Sequence, residues 1–124
     1  MSEEFVGRHD NLRKRTKLFA LEVIKAVESL PRSRTTDVIG KQLLRSGTSV
    51  GANYRAASRA KSLADFISKM GNVQEEADES VYWMELLLES GVSEGDSLTR
   101  LAGEAGELVA IAVSSIKTAK SKLA

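Results

Sequence analysis

The residue types that could do chemistry in this chain are few, and their spacing limits them further. Glu75, Glu76, Asp78, Glu79, Glu85 and Glu89 form an acidic stretch. Paired carboxylates on facing helices can hold two metal ions, but such sites also use Glu-x-x-His pairs. The only histidine is His9, in an N-terminal segment, residues 1–10, read as a flexible tail. A metal site is therefore not expected. Without cysteine there is no disulfide, thiolate zinc site or thiol nucleophile. The serines lie in no Gly-x-Ser-x-Gly elbow, and no base accompanies them. Gly40, Gly47 and Gly51 are not followed by the Gly-Lys-Ser/Thr of a phosphate loop. They read instead as places of close helix approach or bending. No enzyme and no cofactor is expected.

Basic residues are the more promising feature. Arg13, Lys14, Arg15 and Lys17 cluster early, and Lys41, Arg45, Arg55, Arg59 and Lys61 follow. The pairs 41/45 and 55/59 are each one helical turn apart. Such patches neutralise phosphates and give salt-dependent, sequence-independent binding to nucleic acid. Equally, they can be solvated, or pair with the acidic stretch of the same or a neighbouring chain. Glu76 and Glu79 flank an apolar stripe and call for a cationic partner such as Arg45 or Arg55, because an unpaired half-buried carboxylate is costly. No base-reading motif is present. Tyr82 and Trp83 are adjacent, so both cannot point into a core. They read as a subunit-interface anchor or as a seal on the side of the fold.

The elements that position these residues are helices. Phe19, Ala20, Val23, Ile24, Val27 and Leu30 recur at three and four, which predicts a helix from about Asn11 to Leu30, stopped by Pro31. Ser33 or Thr35 caps a second, with the stripe Ile39, Leu43, Ser46, Val50, Asn53, Ala57. Ser46, Thr48 and Ser49 read as small polar packing residues whose hydroxyls bond back to helix carbonyls. Ser62 with Asp65 opens a third helix reaching about Ser90, roughly 40 Å long. Gly91 stops it, and Ser93 with Asp96 starts a fourth, with the stripe Leu98, Leu101, Ala105, Leu108, Ala112, Ile116, Ala119, Leu123. No period-two pattern or hairpin turn occurs. Four amphipathic helices with short connections make one all-α domain, an antiparallel up-and-down four-helix bundle.

The whole chain of 124 residues carries a formal net charge of +1, but the halves differ. Residues 1–62 hold 13 Lys/Arg and 6 Asp/Glu; residues 63–124 hold 5 and 11. No apolar run reaches the roughly 18 residues that span a bilayer, and the N-terminus has no signal-peptide core. A cytoplasmic location away from the membrane is expected.

The stretch Gln42–Ala57, QLLRSGTSVGANYRAA, together with Phe66–Met70 and Glu75–Gly91, resembles the four-helix bundle proteins encoded by intervening sequences of bacterial 23S ribosomal RNA genes. The resemblance runs from about Leu18 to Lys120. It implies a ring-like homopentamer. It also implies kinship with the accessory proteins of diversity-generating retroelements, basic barrels that bind nucleic acid and a reverse transcriptase. Arginines matching Arg45, Arg55 and Arg59 are the implied candidates, and RNA, DNA or a nucleic-acid-handling protein are the implied partners. This chain departs in charge, since those relatives are strongly basic.

Overall fold

The computed structural model describes residues 3–123, with side chains from Asn11 onward. Its elements are α1 (Glu3–Glu28), α2 (Arg34–Ser58), α3 (Leu63–Glu89) and α4 (Asp96–Leu123), with no strand among the described residues. Each helix packs on the next in chain order, and of the four adjacent pairs α1 and α4 touch least among the described residues.

Local chemistry explains the ends. Ser33 caps α2: its Oγ accepts the Thr36 N–H at 3.1 Å, and Thr36 Oγ1 accepts the Ser33 N–H at 2.9 Å. Thr36 also donates to the Pro31 carbonyl at 2.6 Å, locking the corner. Ser62 caps α3 by accepting the Asp65 N–H at 3.0 Å. The Asp65 carboxylate reaches back to the Lys61 N–H at 3.1 Å. Gly91 takes φ +78 and ends α3 as expected, the one positive φ among the described residues.

Three expectations are corrected. α1 starts at Glu3, not near Asn11, because no proline stands before Asn11 to break a helix. Of the segment expected as a tail, Met1, Ser2 and the side chains through Asp10, His9 included, lie outside the described residues. Ser93 does not cap α4. Its N–H instead bonds the Leu87 carbonyl at 3.1 Å, and Gly95 supplies the first carbonyl of α4, to Thr99. Ile24 and Leu123, placed on apolar stripes, are exposed.

The core runs the length of the bundle: Phe19 and Val23 from α1, Leu43, Val50 and Tyr54 from α2, Met70, Met84 and Leu87 from α3, Leu101 and Leu108 from α4. The glycines of α2 face α1. A Cβ on Gly47 would lie 2.8 Å from both Val23 methyls, and one on Gly51 would meet Thr16 Oγ1 at 3.3 Å. Close approach is therefore what they provide. The α2–α3 seam contains a buried hydroxyl pair, Ser80 Oγ donating to Ser46 Oγ at 3.0 Å. Ser80 is also 2.9 Å from the Glu76 carbonyl. Among the described residues no helix is long and apolar enough to cross a membrane.

Candidate nucleic-acid interface

The buried residues Leu43, Val50, Tyr54 and Ala57 fix which side of α2 faces the core. At about 100° per residue, Arg34, Lys41, Arg45, Arg55 and Arg59 all fall on the opposite side, and all are exposed. The two i, i+4 pairs thus share one outward face, where Asp37 is the only acidic residue of the helix.

The members of that face differ in what they touch. Arg45 is engaged: Nη1 binds Glu76 at 3.2 Å and Nη2 binds Glu79. Glu79 also accepts the Trp83 indole N–H at 3.0 Å. Of the two arginines expected to serve these carboxylates, it is Arg45 that does so. Lys41 lines a groove of about 450 Å³ at the α1–α2 corner, together with Glu28 and Asp37, so its surroundings are of mixed sign. Arg55 and Arg59 make no side-chain hydrogen bond or ion pair among the described residues.

Antiparallel packing brings other cations to these two arginines. Thr16 meets Gly51, which sets Arg13, three residues earlier, at the level of Arg55, four residues later. Arg13 and Lys14 are exposed there. Lys61 follows at the exit of α2. Lys69, Lys117, Lys120 and Lys122 belong to the same end, and sequence reading did not select them. The three lysines of α4 were visible as a cluster, but they sit in the acidic half of the chain, where the sum hides them. The half of the bundle formed by residues 11–16, 47–76 and 110–123 carries ten Lys/Arg and three Asp/Glu. The other half, 17–46 and 77–109, carries seven and eleven.

One member of the early basic cluster is withdrawn from solvent anions. Arg15 donates to both Glu104 oxygens at 2.7 Å and to Glu107 at 2.5 Å, tying α1 to α4. The hydrogen bond to Glu104 raises the Arg15 pKa, against an opposing effect of burial. The same bond holds the Glu104 carboxyl below its ordinary range. Burial pushes the Tyr54 phenol up to about 12, so it stays neutral. Asp65 is lowered, first by its bond from Lys69 and then by the Lys61 N–H.

Tyr82 and Trp83 divide their duties. Trp83 is half-buried on the α2 side of α3, its indole N–H spent on Glu79. Tyr82 is 54% exposed and meets the Trp83 ring edge-on at 5.1 Å. It stands on the outward face of α3 among exposed Glu75, Asp78, Glu85 and Glu89. The outward side of α1 differs in character: Leu18, Leu21 and Ile24 are exposed beside Lys14, Lys17 and Lys25, with Glu28 on the same side. Among the described residues no three His, Asp or Glu side chains gather as metal ligands.

Residues 9–114 match the profile of the family described as 23S rRNA-intervening sequence protein. A solved structure similar to this chain is that of a protein of unknown function from the S23 ribosomal protein family of Bacteroides thetaiotaomicron. It is 34% identical, with a TM-score of 0.78, over 85% of this chain and 97% of that one. No curated protein matches the chain.

Proposed function

The chain belongs to the 23S rRNA-intervening sequence protein family, and we propose that it acts without catalysis, as a cytoplasmic homo-oligomer that binds RNA or DNA through its basic bundle end. The observation that carries this reading is the exposed pair Arg55 and Arg59, without intramolecular partners among the described residues and at a bundle end shared with further cations. Exposed guanidinium groups at the end of a rigid helix, Arg55 in its last turn and Arg59 at its cap, suit phosphates, which accept two parallel N–H bonds. The affinity comes from phosphate neutralisation, so it is insensitive to sequence and falls with salt.

The assembly reading rests on two faces of one molecule. The acidic outward face of α3, with Tyr82, complements the basic and apolar outward face of α1. These helices lie diagonally across the bundle, so α1 of one copy on α3 of the next is a head-to-tail contact that closes a ring when the rotation allows. Five copies is the number the resemblance implies.

Fluorescence anisotropy with generic RNA and DNA at two salt concentrations tests the binding. Saturable binding at about 50 mM salt, lost in Arg55→Glu with Arg59→Glu at unchanged helicity, supports it. Absence of binding in the wild-type chain refutes it. A nucleic-acid-handling protein as partner, or a scaffold role without nucleic acid, is then the surviving reading. Arg15 and Arg45, already consumed by carboxylates, favour that alternative. Light scattering tests the ring: a monomer mass at micromolar concentration sinks it.

A further inference from the structure

The basic end of the bundle also holds a cavity of about 500 Å³, within the size range of small-ligand sites. All four helices line it. Its floor is mostly apolar, built from buried Ala57, Met70 and Ala119 and half-buried Leu12 and Phe66, with the buried phenol ring of Tyr54. Apart from Leu63, its exposed lining residues, which form the rim, are polar: Lys61 and Lys122 with Ser58, Ser62, Ser114 and Thr118. No carboxylate lines it among the described residues. Asp65, next to the lining residue Phe66 in the chain, is held by Lys69 Nζ at 2.9 Å and by the Lys61 N–H.

This division of surfaces specifies a ligand with two parts. The floor excludes a fully hydrated ion, because desolvating an anion against Leu, Phe and Met has no compensation. The rim disfavours a neutral oil, since two cations would lose water without gaining a counter-charge. A nucleobase fits less well than a hydrocarbon chain, because its polar edges would lose water against Leu, Phe and Met. A methylene is close in size to a water molecule, whose share of liquid volume is about 30 Å³, so the space holds roughly fifteen such groups. The positive end of α3, opening at Ser62, adds to the field of the lysines.

We propose that this bundle-end cavity binds an amphiphilic anion, an apolar chain of about ten carbons ending in a carboxylate or a phosphate. The chain lies against Phe66 and Met70, and the head meets Lys61 and Lys122 at the mouth.

Calorimetric titration of the full chain with decanoate, decyl phosphate, decanol and adenosine monophosphate tests this. The expected result is saturable binding, one molecule per chain, of decanoate or decyl phosphate, with whichever binds more tightly naming the head group. Decanol and the nucleotide should bind at least about tenfold more weakly, a difference of one decade in Kd. Lys61→Glu with Lys122→Glu, both at exposed positions, should weaken binding by about tenfold or more at unchanged circular dichroism. Ser115→Trp should abolish it by filling the cavity. The proposal is overturned by any one of four outcomes: no saturable binding up to about 1 mM, decanol equal to decanoate, the nucleotide equal to decanoate, or undiminished binding in both variants. Anisotropy with Arg55 and Arg59 variants reads the nucleic-acid surface independently of this result.

Discussion

Arg15 of α1 grips Glu104 of α4 through two N–H groups, each 2.7 Å from a carboxylate oxygen. Of the adjacent pairs these helices otherwise touch least among the described residues, and both side chains are less than one-third exposed. The pair is a clasp on the loosest seam.

Breaking that clasp should cost about 1 kcal/mol, the upper end for partly exposed pairs. Because Arg15 lowers the Glu104 pKa, the contribution is complete above the unfolded carboxyl value, near 4.3, and is lost as pH falls through the folded value. Urea unfolding of Glu104→Gln against wild type should therefore show a gap at pH 7 that narrows at pH 3. A gap that widens at low pH contradicts the assignment.

Gly47→Ala places a methyl 2.8 Å from both Val23 methyls, and Val23 is fully buried and stiff at χ1. The gain in helix propensity, about 1 kcal/mol, is smaller than the cost of overpacking, so the net loss should be roughly 1–2 kcal/mol. Gly103→Ala and Gly106→Ala meet open space and should each raise stability by about 0.5–1 kcal/mol. Thermal melts of the three variants check the contrast in sign.

Ser46 and Ser80 should show coupling in a double-mutant cycle. Ser80→Ala leaves a buried hydroxyl with fewer partners, at a cost of about 1 kcal/mol, whereas removing both hydroxyls relieves the desolvation as well. The double variant should be less destabilised than the sum of the singles, read from chemical denaturation midpoints.

Arg45 and the Arg55–Arg59 pair should separate in their salt dependence. For a surface that binds duplex DNA, losing two phosphate contacts lowers the log–log salt slope by about 1.8. Arg55→Ala with Arg59→Ala should approach that figure. Arg45→Ala should change it far less, because its guanidinium already serves Glu76 and Glu79. Anisotropy titrations over a salt series measure both.

The helices themselves were legible at the level of residues. Ser33, Ser62 and Gly91 marked ends because caps and a positive φ act within a few residues. The glycines of α2 announced close approach, and Val23 and Thr16 proved to be what approaches. Ser80 was missed although it falls between Ala77 and Met84 on the core stripe, because a serine there looks like an interruption until Ser46 is seen opposite. Ile24 was misplaced because periodicity alone does not tell how wide a face the neighbours cover.

Sequence alone determined four helices, their inward faces and the absence of cysteine and of histidine clusters, since period, capping and composition are local properties. It also held a charge split, read along the chain as a basic half and an acidic half. Tertiary structure decided what those charges mean. Antiparallel packing returns the start of α1, the end of α2 and the end of α4 to one end, so lysines of the acidic half join arginines of the basic half. It also pairs Arg15 with a glutamate 89 residues away, which no local pattern encodes. Coulomb interactions act through distance in space, and only the packed helices set those distances.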